Sequence, residues 1–148
     1  SSDGTYEDTS ASLGTISLPG AGTYFIYGLI GAEAYGTLPS NPLTNSFIYV
    51  DVYDATAGQA VPGSGFVVLS LAQTNKNQMS YGSFTAVYTV TGPSTLYWRG
   101  GRHTPAGSSW TVSLVGSVGP GRPTLGYFGF GPGPYDLLPG DGLPGGTY

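Results

Sequence analysis

Apolar and polar positions alternate with a period of two along most of this chain, the spacing of strands that bury one face. In Phe47 to Tyr53, Ile48, Val50 and Val52 fall on one side, and Phe47, Tyr49, Asp51 and Tyr53 on the other. Ser80 to Thr91 sets Phe84, Ala86, Tyr88 and Val90 against Ser83, Thr85, Val87 and Thr89. Trp110, Val112, Leu114, Gly116 and Val118 alternate in the same way with Thr111, Ser113, Val115 and Ser117. Thr15 to Leu18, Thr23 to Ile30, Thr95 to Arg99 and Thr124 to Phe130 are shorter or denser runs of the aromatic and β-branched residues that suit a pleated surface. Phe66 to Ala72 is almost continuously apolar, as expected of a strand covered on both faces. No stretch places apolar residues at i, i+3, i+4 and i+7 with capping chemistry, so no helix is predicted.

Glycine and proline punctuate these runs at Pro19-Gly20, Gly58, Pro62-Gly63 and Gly92-Pro93, where turns need a positive or fixed φ. About eight strands with turn signals between them predict an all-β chain. The expected architecture is a single antiparallel β-sandwich, with a jelly roll favoured over other Greek keys. The sandwich is expected over residues 13–130, with an N-terminal arm at 1–12 and a C-terminal arm at 131–148. Ten of the last eighteen residues are Gly or Pro, which excludes a helix or a central strand there. Tyr135, Leu137, Leu138, Leu143 and Tyr148 interrupt that segment, and with Tyr6 of the N-terminal arm they are the candidate assembly contacts.

Composition adds the functional hint. Only 8% of residues are charged, against 14% aromatic, whereas about 25% charged residues are usual. Surfaces poor in Lys, Glu and Asp but rich in Tyr and Phe resemble the cores of protein interfaces. The net charge is −4, with acids concentrated at the ends as Asp3, Glu7, Asp8, Asp136 and Asp141. One Lys and three Arg give no basic footprint, so nucleic acid is not an expected partner. No apolar run approaches the roughly 20 residues of a membrane-spanning helix, and no membrane partner is expected. The absence of cysteine excludes disulfides and thiolate metal sites.

Candidate chemistry is sparse. His103 is the single histidine, and a triad with Ser108 or Ser109 lacks the nucleophile elbow such a site needs. Asp51 and Asp54 are too few for a calcium site, and Asp54 reads as a turn opener after a strand. Glu33 with Asp51 is the remaining carboxylate pair of glycosidase type. Gly100-Gly101 and Gly119-Pro120-Gly121 lack the context of a phosphate loop. No catalytic residue, metal ligand or cofactor is therefore assigned. Twelve Tyr and two Trp can form either a sugar-stacking platform or a subunit interface, the second being the stronger reading. Arg99, Arg102 and His103 form a candidate ligand loop.

The run Ser17-Leu18-Pro19-Gly20-Ala21-Gly22-Thr23-Tyr24-Phe25-Ile26-Tyr27-Gly28 resembles the opening of small β-sandwich domains in tailed-phage virion proteins. Phe47 to Asp54, the turn Thr89-Val90-Thr91-Gly92-Pro93, and Leu96 to Arg99 with Gly100-Gly101-Arg102 are similar to later parts of those domains. The resemblance covers about residues 12 to 130. It implies a trimeric jelly roll of the capsid decoration, head-fibre or tail-fibre-tip type on the surface of a virion. Extended ends fit a decoration protein, whose arms reach the major capsid protein or neighbouring decoration subunits. A fibre tip instead implies a host-surface glycan as ligand. A secreted or filament-forming matrix protein is a third reading of the low charge.

Overall fold

The computed structural model describes residues 4–37, 46–71, 77–103, 109–115 and 124–129. Among the described residues ten strands are formed: β1 (Tyr6–Asp8), β2 (Ile16–Leu18), β3 (Gly22–Thr37), β4 (Ser46–Asp54), β5 (Gln59–Ala60), β6 (Phe66–Leu71), β7 (Gln78–Val90), β8 (Ser94–His103), β9 (Ser109–Val115) and β10 (Thr124–Gly129). One helical turn, α1 (Ser10–Leu13), joins β1 to β2. The strands make two antiparallel sheets packed face to face as a β-sandwich. Sheet A holds β1, β2, β8, β4, β5 and β6, and sheet B holds β10, β9, β3 and β7.

The pairing is nested. β4 pairs with β6, β3 with β7, and β2 with β8. Each pair encloses the one before it, and β8 then lies beside β4. This folded-over ribbon is the pairing pattern of a jelly roll, and it places β8 and β4 at the centre of sheet A. β3 is the spine of sheet B. It pairs with β7 from Gly22↔Val90 to Ala34↔Gln78 on one side, and with β10 and then β9 on the other.

The alternation of the sequence becomes the two sides of each sheet. Ile48, Val50 and Val52 of β4 face Tyr24, Ile26 and Ile30 of β3 across a core that also contains Leu96, Trp98, Phe84, Tyr88 and Tyr127. Trp98 is at its centre, edge-on to Phe84 and Phe66 with ring centroids at 5.4 Å and 6.3 Å. Its indole lies against Gly28, where a Cβ would come within 2.5 Å of Trp98 and 2.7 Å of Phe84. Glycine is the residue that lets sheet B approach this ring. Burying a side chain of that size stabilises the fold by about 3–5 kcal/mol relative to alanine.

Turn chemistry closes the β4–β6 connection. Gly58 and Gly63 adopt φ of 70° and 82°, the left-handed region that costs glycine little. Asp54 ends β4 fully buried, and one carboxylate oxygen accepts the backbone N–H groups of Thr56 and Ala57 at 2.8 Å and 3.0 Å. Its other oxygen accepts the Tyr88 hydroxyl at 2.9 Å. The expected turn opener thus also ties the two sheets together. Buried Ser64 donates to the Val61 carbonyl at 2.7 Å and accepts the Val52 N–H at 3.0 Å, so the returning loop is held to β4.

Three expectations change. β6 is not covered on both faces: Val67 is 52% exposed, while Val68 and Leu69 are both buried. The register slips between Ile48↔Leu69 and Tyr49↔Val67, so Val68 is the extra residue of a bulge that turns two successive side chains inward. β8 does not stop at Arg99 but runs through Gly100-Gly101 to His103. The N-terminal segment is folded on its own chain, since β1 pairs with β8 from Tyr6↔Gly101 to Asp8↔Arg99.

Candidate interaction surface

Both sheets turn aromatic rings outward. On the outer face of sheet A, β4 contributes Phe47, Tyr49, Asp51 and Tyr53, β8 contributes Tyr97, Arg99, Gly101 and His103, and β1 contributes Tyr6. Arg99 sits directly opposite Asp51 in the β4–β8 register and forms a two-pronged ion pair, Nε to Oδ1 at 2.9 Å and Nη2 to Oδ2 at 2.6 Å. The guanidinium is sandwiched between the rings of Tyr6 and Tyr53, at 4.4 Å and 3.9 Å from their centroids. Hydrogen bonding to Asp51 raises the Arg99 pKa above its ordinary value. The Asp51 side chain is only 5% exposed and that of Arg99 20%. The pair is therefore shielded on an outward face by the rings around it.

Those rings are themselves chained. Tyr6 meets Tyr49 edge-on at 4.9 Å, Phe47 contacts Tyr49 and His103, and Tyr53 contacts Tyr97. Tyr49 lies across Gly101, where a Cβ would fall 2.3 Å from its ring. Burial raises the pKa of Tyr6, with the Asp51 carboxylate adding to the effect, and burial likewise raises that of Tyr97.

The outer face of sheet B is almost free of charge. Phe25 stacks on Phe128 at 6.0 Å, and Tyr27 tilts against Phe128 at 5.4 Å. Tyr27 covers its cross-strand partner Gly126, and Tyr81 covers its partner Gly31. Val87, opposite Phe25, is 67% exposed. Among the described outward residues of this sheet, Glu33 is the single ionisable acid or base of ordinary neutral-pH charge, and it lies opposite Met79 at the far end.

The residues singled out in the sequence are distributed as follows. Tyr6 is 40% exposed and packs on its own sheet A. Arg99 and His103 share the outer face of that sheet, whereas Arg102, opposite Ile48 in β4, points to the other side. The three belong to a strand rather than a loop, and they do not converge. His103 contacts Phe47 at 5.1 Å, while Ser108 lies outside the described residues, as do Tyr135, Leu137, Leu138, Leu143 and Tyr148. Asp51 and Asp54 face opposite sides of β4, which separates them as a carboxylate pair. Among the described residues, no three His, Asp or Glu side chains gather to hold a metal ion, and no helix is long and apolar enough to cross a membrane. The ring-capped Arg99–Asp51 pair escaped the sequence reading. Its signal was Asp51, a charge placed at an outward position between two tyrosines.

No protein-family model matches the chain, and no curated protein sequence matches it.

Proposed function

We propose that this chain is a non-enzymatic structural subunit that assembles with copies of itself through the outer face of sheet B. The observation that carries the reading is the row Phe25, Tyr27, Val87 and Phe128, an outward sheet face of aromatic and aliphatic side chains with no charge near its centre. A lone soluble sheet usually presents polar residues on its outer side. Contiguous apolar faces mark sites covered by partners. A neutral face of this kind is also self-complementary, because no like charges meet when it packs against a copy.

Together with the resemblance to phage virion sandwiches, this supports a trimeric capsid decoration or head-fibre protein whose C-terminal arm, residues 131–148, spans neighbouring subunits and stabilises a shell. Linking arms to a trimer makes their later contacts effectively intramolecular. Sedimentation of the wild type and of Phe25→Glu tests the proposal. The expected result is a wild-type oligomer and a folded, monomeric variant. A Phe25→Glu protein that assembles as the wild type does overturns the face assignment.

A second reading rests on the outer face of sheet A, where Tyr6 and Tyr53 flank the Arg99–Asp51 pair and Phe47, Tyr49 and Tyr97 extend the aromatic row. Rings flanked by hydroxyls suit a carbohydrate, as in a receptor-binding tip. Selective binding on a glycan array, lost in Tyr53→Ala, is the result that favours it over a purely structural role.

A further inference from the structure

Strand edges pair with other chains unless something blocks them: short length, charge, proline, a bulge or a cover. Among the described residues, two of the four edges of this sandwich carry such a block, and a third is interrupted. At one side of sheet A, β1 and β2 are three residues each, and β1 carries Glu7 and Asp8. At its other side β5 has two residues, and β6 is bent by the bulge at Val68. The β9–β10 side of sheet B is divided between two strands of seven and six residues.

β7 has none of these except in part a cover, since β6 of sheet A runs beside it and Phe66 lies against Gly82. β7 is 13 residues long, contains no charged residue and no proline, and its register with β3 is unbroken. Among the described residues no strand pairs with its other side. Exposed apolar bulk is concentrated on it, with Met79 at 49%, Tyr81 at 44% and Val87 at 67%.

We infer that the free edge of β7 is a strand-addition site occupied by β7 of a second copy, antiparallel across a local twofold axis. The occupant follows from the chemistry. A charged edge asks for an opposite charge, whereas β7 asks for a neutral extended strand, and its own copy is one. An antiparallel pair of identical strands is the self-complementary contact that twofold symmetry generates. At about 3.4 Å per residue the edge is roughly 40 Å long, enough for a full ladder. The inference rests on the assembly reading and adds to it: the outer face of sheet B holds one unit together, and β7 joins one unit to the next.

Residue-resolved amide exchange across a concentration series tests it, together with single-cysteine reporters in a chain that has no native cysteine. With increasing concentration, the alternate β7 amides that point away from β3 should slow by about tenfold or more. At least one of Ser83→Cys, Thr85→Cys and Val87→Cys should form a disulfide-linked dimer under mild oxidation, while Ser70→Cys on β6 should not. If the chain self-associates while those amides keep their dilute-solution rates, the edge inference fails and the face reading stands. Protection that is independent of concentration and lost on deletion of 131–148 would assign the edge to the chain's own arm and overturn the second-copy occupant. A monomer at every concentration overturns both.

Discussion

At several positions in the sheets a glycine and an aromatic residue are coupled. Gly31, Gly101 and Gly126 each stand directly opposite a tyrosine, Tyr81, Tyr49 and Tyr27, whose ring lies across the space a Cβ would fill. Glycine inside a strand is ordinarily a weak point because it has nothing to pack. The facing ring supplies that contact, as in aromatic rescue of sheet glycines. Inside the sandwich, Gly28 plays the same part for Trp98. Gly28→Ala should cost about 1–3 kcal/mol in urea unfolding, since Trp98 is enclosed and cannot move aside. Gly101→Ala should fall at or below the low end of that range, because Tyr49 is half-buried and can swing outward. Equal losses for the two would contradict this account. Removing the carboxylate in Asp51→Ala leaves a guanidinium held between two rings without its partner. With Arg99 still partly hydrated, the expected loss is about 1–3 kcal/mol, below that of a fully buried pair.

At the scale of elements, β1 is an edge strand that extends sheet A beside β8. It contributes three exposed residues, fixed by the ladder to β8, by Tyr6 over Arg99 and by the Thr9 hydroxyl donating to the Trp98 carbonyl. Asp8 accepts the Ser10 N–H at 2.7 Å, and hydrogen bonding from Ser10 lowers its pKa. The raised pKa values of Tyr6, Tyr88 and Tyr97 give a sign for alkaline behaviour. In the folded chain these hydroxyls hold their protons above the ordinary value of 10.0, so their contribution is complete below that pH and is lost as pH rises through the folded values. Thermal unfolding should therefore shift downward above about pH 10, and Tyr6→Phe should show a smaller alkaline shift. An unchanged shift in Tyr6→Phe would remove Tyr6 from this linkage.

What the chain disclosed about these elements follows a physical divide. Alternation such as Ile48, Val50 and Val52 is local, and it located β4 and β7 closely. β8 beyond Gly100-Gly101 was hidden because the pair reads as a breaker. It stays extended because it pairs with β4 and β1 there, with Leu114 and Tyr49, distant in sequence, filling the two glycine sites. The Val68 bulge and the edge strand β1 were hidden for the same reason. A bulge shows only in register, and Tyr-Glu-Asp carries no apolar face. The Arg99–Asp51 pair joins residues 48 apart, brought together by strand pairing alone.

For the whole molecule, the low charge of the sandwich and its aromatic outer faces are what the proposed self-assembly rests on. The arm segment 131–148 belongs to this scale. Deleting it should leave a folded assembly that holds neighbouring subunits or a shell more weakly. A truncated chain that fails to fold, or that binds with undiminished affinity, would contradict the role given to the arm. The assembly itself is tested most directly by the native mass of the purified chain over a range of concentrations. The account predicts that the smallest species is a closed oligomer at three times the 15.2 kDa of one chain, persisting on dilution, with larger species joined through β7 appearing as concentration rises. A species of one chain mass throughout would contradict it.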